Sequence, residues 1–267
     1  MIRAGTLRGG VAGNPIGHSL SPLIHRAWIA AAGIDAAYDP YVPQDEAAFL
    51  ALIDIGRAGR LRGLNVTAPY KLAALAAADS ISDTARRAGS ANLLVFEEGR
   101  THADSTDGFG LMAALAEQAP ALDLKGRPAV VLGAGGAGRA AAAALSDAGA
   151  DVRIVNRTHD RAEALAAELG VTAANAEAAL DGAVLVVNAL SAAPDIDLSR
   201  LPADAVLMDM TYRPLETAFL AACRARGLTG VDGLAMLIGQ ARPSFQALFG
   251  VAPPAVDVRS LALEAIR

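Results

Sequence analysis

The apolar run Ala129-Val130-Val131-Leu132 passes directly into Gly133-Ala134-Gly135-Gly136-Ala137-Gly138 and then into an alanine-rich stretch. A short strand, a glycine turn and a helix in immediate succession open a βαβ unit, which needs a parallel sheet with helices packed on it. The same rhythm recurs: Val152-Arg153-Ile154-Val155, Val184-Leu185-Val186-Val187 and Val206-Leu207-Met208-Asp209 read as further strands separated by helical patterns. Upstream, Gly10-Val11-Ala12-Gly13, the stretch from Ala37 to Val42, and Gly63-Leu64-Asn65-Val66 read as strands of a less regular region. A helix starts at Pro22, with Ser21 as its expected N-cap, and ends at Gly33. The expected fold class is therefore α/β with a largely parallel sheet.

At 267 residues the chain suits two modest domains, and 53% hydrophobic against 19% charged residues leaves enough apolar surface for a substantial core. A formal net charge of -5, with no Lys/Arg block, argues against nucleic acid as a partner. The mean hydropathy of +0.34 reflects alanine, and no apolar run approaches the roughly 20 residues of a spanning helix. Met1-Ile2-Arg3-Ala4-Gly5-Thr6 lacks the layout of a signal peptide, and the single cysteine, Cys223, excludes an internal disulfide. Both fit a cytoplasmic protein, and Cys223 reads as buried packing in an apolar helical run. Four scattered histidines show no metal-ligand spacing, so no metal is expected.

Gly133, Gly135 and Gly138 match the G-x-G-x-x-G fingerprint of a dinucleotide site. The first two glycines allow the tight turn and close approach of a pyrophosphate, which the helix N-terminus then stabilises through Ala134, Gly135, Gly136 and Ala137. An NAD site usually has Asp or Glu at the end of the next strand. Here the strand ends in Asn156-Arg157-Thr158, with Arg161 one turn on, and guanidinium groups suit a 2′-phosphate. NADP is therefore expected over NAD. The competing reading is two solvated arginines at a helix start, and Asp160 keeps it open.

A second polar centre lies before the glycine turn. Asn65-Val66-Thr67-Ala68-Pro69-Tyr70-Lys71 carries a lone lysine after a proline suited to a first helical turn, and Ser105-Thr106-Asp107-Gly108 carries a carboxylate. An amine such as that of Lys71 can give a proton to a carbonyl oxygen or take one from an alcohol, and Asp107 can orient it. The plainer readings are a surface lysine on an amphipathic helix and a helix-capping aspartate. Ser19 and Ser21 precede a helix, where hydroxyls either hold a carboxylate or cap the helix. Asn65, Thr67 and Asn92 stand at the ends of apolar runs, the usual place for ligand contacts in open α/β sheets, although each alone also suits a turn.

Taken in order, several segments resemble the shikimate dehydrogenase family. They are Gly13-Asn14-Pro15-Ile16-Gly17-His18-Ser19 with Ser21-Pro22, Asn65-Val66-Thr67 with Pro69 and Lys71, Ala88-Gly89 with Asn92, and Thr106-Asp107-Gly108. The Gly133 turn with Asn156-Arg157-Thr158, and Asp232-Gly233-Leu234 with Met236-Leu237 and Gln240, complete a set that spans essentially the whole chain. The Lys71 motif is specific, whereas the glycine turn is shared by many dehydrogenases.

The resemblance implies NADP-dependent, reversible reduction of 3-dehydroshikimate to shikimate in aromatic amino-acid biosynthesis. It implies two domains with a cleft that closes: a substrate domain of residues 1–106 and 236–267, the latter a helical return, and a Rossmann-type NADP domain of residues 107–235. It assigns Lys71 and Asp107 as the catalytic pair and Ser19, Ser21, Asn65, Thr67, Asn92 and Gln240 as substrate contacts. Tyr212, otherwise a strand-end aromatic, lies near the substrate on this reading. Met236, which periodicity alone puts in a core, lies beside the nicotinamide. Three features depart from the family pattern: Ser105 replaces an Asn, Leu190 replaces a common Thr, and the loop Ala192-Ala193-Pro194 lacks the usual Gly. The alternatives are a quinate/shikimate dehydrogenase using NAD and a non-catalytic NADP-binding relative, and both monomer and homodimer remain open.

Overall fold

The structure is a computed structural model that describes residues 5–266. It contains two compact units, one formed by the chain up to Thr106 together with the segment from Gln240 on, the other by Asp107–Gly239. The return to the first unit comes inside the last long helix, a turn beyond the position read from sequence.

In the first unit the order is β1 (Leu7–Ala12), α1 (Ser21–Ala32), β2 (Ala36–Tyr41), α2 (Glu46–Arg57), β3 (Gly63–Val66), α3 (Lys71–Ala76), β4 (Ser80–Ile81), α4 (Asp83–Ala88), β5 (Leu93–Glu97) and β6 (Arg100–Asp104). The sheet order is β2-β1-β3-β5-β6-β4. β1 pairs in parallel with β2 and β3, but β5 runs antiparallel to both β3 and β6. β4 also runs parallel to β6, so three of the five pairings in this unit are parallel, as expected, and the two exceptions are both made by β5. The sequence reading missed the β5–β6 hairpin, whose two-residue turn places Glu98 and Gly99 at φ 51° and 75°. Such a turn usually takes Asn-Gly or Asp-Gly, so Glu-Gly hides it.

One face of this sheet packs Leu64, Leu94 and Phe96 against Phe49 and Ile53 of α2, where Gly56 leaves room for the Phe96 ring. Helix α1 has no side-chain cap. Ser21 is its first residue rather than its N-cap, and the Ser19 hydroxyl instead accepts the Ser21 N–H at 3.3 Å. The helix ends at Gly33 with φ 62°, as its composition predicts.

The second unit runs α5 (Asp107–Gln118), β7 (Pro128–Leu132), α6 (Gly136–Asp147), β8 (Asp151–Val155), α7 (His159–Leu169), β9 (Thr172–Ala173), α8 (Ala176–Leu180), β10 (Leu185–Asn188), β11 (Val206–Asp209), α9 (Ala218–Ala225) and β12 (Thr229–Val231). Helix α10 (Gly233–Phe249) begins in this unit and ends in the first, which α11 (Val258–Ala265) completes. All pairings among β12-β11-β10-β7-β8-β9 are parallel. Numbered from β7, that is the doubly wound order 3-2-1-4-5-6 of a Rossmann-type fold, with its switch point between β7 and β10. Helices cover both faces, so Val130, Val131, Val186, Val187 and Leu207 are fully buried, which explains why these strands read as unbroken apolar runs. Cys223 is buried too, its thiol directed at the Leu228 carbonyl. Among the described residues no helix is long and apolar enough to cross a membrane.

Candidate functional site

In the first unit three of the expected substrate residues, Asn65, Asn92 and Gln240, converge through side-chain hydrogen bonds. The β5–β6 register sets Leu93 opposite Asp104, which brings Asn92 and Thr106 together just beyond the hairpin. Asn92 Oδ1 accepts the Thr106 N–H at 2.8 Å, and its Nδ2 donates to Thr106 Oγ1 at 3.0 Å and to Gln240 Oε1 at 3.1 Å. Asn65, near the end of β3, donates from Nδ2 to the Asn92 carbonyl at 3.2 Å and to Ser244 Oγ at 2.9 Å. Ser244 donates to the Gln240 carbonyl one turn back on α10. Asn65, Asn92 and Gln240 therefore form one cluster. Thr106 and Ser244, which sequence reasoning did not single out, complete it. The only sequence signal for Ser244 is its i+4 spacing from Gln240, which puts both on one helix face.

Thr67 follows β3. A Cβ at Gly13 would overlap its methyl group, and the Asn14 N–H bonds the Ala68 carbonyl at 3.2 Å. Glycine at position 13 thus seats the serine loop against the Thr67 loop. Ser19 and Ser21 are half-buried there, without a described hydrogen bond to the Asn65 cluster. Lys71 is the first residue of α3, so Pro69 lies before the helix rather than in its first turn. Its backbone is fixed on both sides. The Tyr70 ring stacks on Phe49 at 4.8 Å and its hydroxyl bonds the Pro43 carbonyl, while the Lys71 carbonyl accepts the Ala91 N–H at 3.1 Å. Lys71 is thereby tied to the residue preceding Asn92. Asp107, 5% exposed, is the first residue of α5 and directly follows Thr106 of the cluster.

Beneath the cluster the core is uncharged. His25 Nδ1 lies 3.0 Å from the Ser21 carbonyl, so that nitrogen carries the proton, and burial holds the imidazole pKa down at about 4. Burial pushes the stacked Tyr38 phenol well above its ordinary value. Ser105 is buried, and its hydroxyl has no hydrogen-bond partner.

The second unit holds the glycine turn at the switch point. Gly133 takes φ 113°, a left-handed conformation that favours glycine, and a Cβ at Gly138 would overlap the Gly133 carbonyl oxygen. Above Gly135 and Gly136 there is open space, and the N-terminus of α6 has no side-chain cap. Free N–H groups facing an open turn fit a dinucleotide pyrophosphate. Asn156 braces the turn by accepting the Ala134 N–H at 3.2 Å and donating to the Thr158 carbonyl at 2.9 Å.

A groove of about 1160 Å³ runs beside the turn, lined by Leu132, Val155, Asn156, Arg157, Leu190 and Ile196 among others. Arg157 reaches it; Arg161, on the first turn of α7, is exposed but not part of the lining. Among the described residues neither arginine is ion-paired. Leu190 lies against Gly133 and is 37% exposed, its N–H held by Asn188 Oδ1 at 3.2 Å. Tyr212 is half-buried in the loop after β11, and Met236 packs in the apolar core of this unit, where periodicity places it.

A family model described as the shikimate dehydrogenase substrate binding domain matches residues 11–94, and one described as shikimate / quinate 5-dehydrogenase matches residues 114–196. The shikimate dehydrogenase (NADP(+)) of Caulobacter vibrioides (strain NA1000 / CB15N) is 52% identical over 277 residues, covering 98% of this chain and 97% of the relative. Shikimate 5-dehydrogenase from Thermus thermophilus, crystallised with NADP(H) and shikimate, superposes with a TM-score of 0.89 at 38% identity, over 97% of this chain and 99% of that one. Quinate dehydrogenase from Corynebacterium glutamicum, in complex with NAD, gives 0.88 at 30% identity over 97% and 99%. On these matches, which extend over both units, the chain belongs to the shikimate dehydrogenase family.

Proposed function

We propose that this protein is an NADP-dependent shikimate dehydrogenase that interconverts 3-dehydroshikimate and shikimate, acting in the cytoplasm. The observation that carries the reading is the Asn65–Asn92–Gln240 cluster. Neutral amides, two at strand ends and one on α10, suit ring hydroxyls better than they suit a charged or apolar group of the substrate. The Caulobacter and Thermus relatives support the same substrate and cofactor.

Gly133, Ala134, Gly135, Gly136 and Ala137 would hold the pyrophosphate, Asn156, Arg157, Thr158 and Arg161 the 2′-phosphorylated ribose, and Met236 would flank the nicotinamide. NADP bound there supplies the hydride chemistry. Ser19 and Ser21 receive the substrate carboxylate, while Asn65, Thr67, Asn92, Tyr212 and Gln240 fix the ring. In the reducing direction Lys71 Nζ gives a proton to the carbonyl oxygen, and in the oxidising direction it takes the proton back. Asp107 orients the ammonium. This pairing rests on the match to the family's pattern and on the fixed backbones of Lys71 and Thr106–Asp107.

Lys71→Ala tests the mechanism. It should lower kcat by about 10³-fold, while the KM for shikimate stays within about threefold. Wild-type turnover in that variant would end the assignment.

A further inference from the structure

Asn65 carries more hydrogen bonds than a substrate contact needs, and their directions are all determined. Both Nδ2 protons are used, one on the Asn92 carbonyl and one on Ser244 Oγ. Ser244 Oγ has partners of its own besides Asn65, the Gln240 carbonyl at 3.0 Å and Thr106 Oγ1 at 3.3 Å. The Asn92 carbonyl can only accept, so a flipped amide would set Oδ1 against it. What holds Oδ1 on the other side is one hydroxyl: Tyr38, at the middle of β2, donates to it at 2.8 Å.

Tyr38 is fully buried, and its ring stacks on His25 with centroids 4.0 Å apart and planes 12° from parallel. His25 is fixed in turn by its Nδ1–H on the Ser21 carbonyl, and Trp28 and Phe245 close the remaining sides. The Tyr38 hydroxyl has little freedom to point elsewhere.

We propose that Tyr38 is a positioning residue for the reaction: its hydroxyl fixes the Asn65 amide so that Asn65 meets the substrate only as an acceptor, through the second lone pair of Oδ1. The group opposite Asn65 is then a substrate hydroxyl that donates, not a carboxylate or a ring carbonyl. This deepens the proposed function and rests on its assignment of Asn65 as a substrate contact. Tyr38 itself touches no reacting atom, so its effect belongs in substrate affinity and not in the chemical step.

The test is a double-mutant cycle in steady state with Tyr38→Phe, Asn65→Ala and the double variant. The phenylalanine keeps the ring on His25 and removes only the hydroxyl, and a thermal melt checks that each variant is folded. Tyr38→Phe should raise the KM for shikimate about tenfold, leaving kcat within about twofold and the KM for NADP unchanged. In the Asn65→Ala background the same change should add nothing further. A normal shikimate KM in Tyr38→Phe alongside a raised one in Asn65→Ala would overturn the positioning role, and so would equal increments in both backgrounds. An unchanged KM in Asn65→Ala would instead remove Asn65 from the substrate contacts and take this proposal with it.

Discussion

The candidate sites of the two units are built by opposite means. In the first unit the site is made of side chains bonded to one another across long stretches of chain: Asn65 to Ser244, Asn92 to Gln240, Tyr38 to Asn65. In the second it is made of backbone, a glycine turn that a Cβ would fill, with exposed arginines at its rim. A side-chain network gives directional discrimination between hydroxyls and depends on the whole fold for its geometry. A backbone turn gives a general anion site from a few consecutive residues and leaves discrimination to the rim.

If that contrast holds, single changes in the two regions should fail differently. The largest effect belongs to Gly138→Ala, because its Cβ would overlap a backbone carbonyl that cannot swing away. About 3 kcal/mol or more of stability should be lost in chemical denaturation. Gly135→Ala, at φ -88° and with nothing within 4 Å of the added carbon, should fold normally and lose only NADP affinity. Equal stability losses in the two variants would mean that the turn is not built as described.

The first unit should show its dependence on the buried core through pH. His25 binds a proton at its ordinary pKa of about 6.5 when unfolded, but only at about 4 when folded. The unfolded state therefore takes up more protons between those values, and stability falls as pH drops through that window, then levels below about 4. The loss approaches about 3 kcal/mol, at about 1.4 kcal/mol per pH unit. The stability difference between wild type and His25→Leu should change by that amount across the window. A difference independent of pH would contradict the buried neutral imidazole.

At the rim of the second unit, Arg157→Asp should raise the KM for NADP about 30-fold and change that for NAD by no more than about threefold. Parallel changes for both cofactors would return Arg157 to the solvated surface.

The same contrast explains what the sequence could reveal. The glycine turn and the strand that feeds it are contiguous, and the Asn156-Arg157-Thr158 rim follows at the end of the next strand, so their geometry follows from local rules. The hydrogen bonds of Asn65 and Asn92 to residues of α10 join positions far apart in the chain, and no periodicity announces them. The β5–β6 hairpin went unread because Glu98-Gly99 is an uncommon turn pair, although that hairpin is what sets Asn92 beside Thr106. Ser21 looked like a helix cap from its place before Pro22; Ser19 performs the nearest equivalent. Ser105 read as a lost amide beside Asp107, and the structure adds that its hydroxyl is buried and unpartnered. Tyr38 and His25 had no motif to mark them and became visible only through stacking and burial.

The central claim is that an amide cluster for ring hydroxyls serves the same reaction as an NADP-type turn. The most direct test is to compare kcat/KM for shikimate with NADP against quinate with NAD on the wild-type protein. The expected result is a preference of at least about 100-fold for shikimate with NADP, the size of one well-made charged contact plus one hydroxyl contact. Equal or better turnover of quinate with NAD, or no turnover of shikimate with either cofactor, would contradict it.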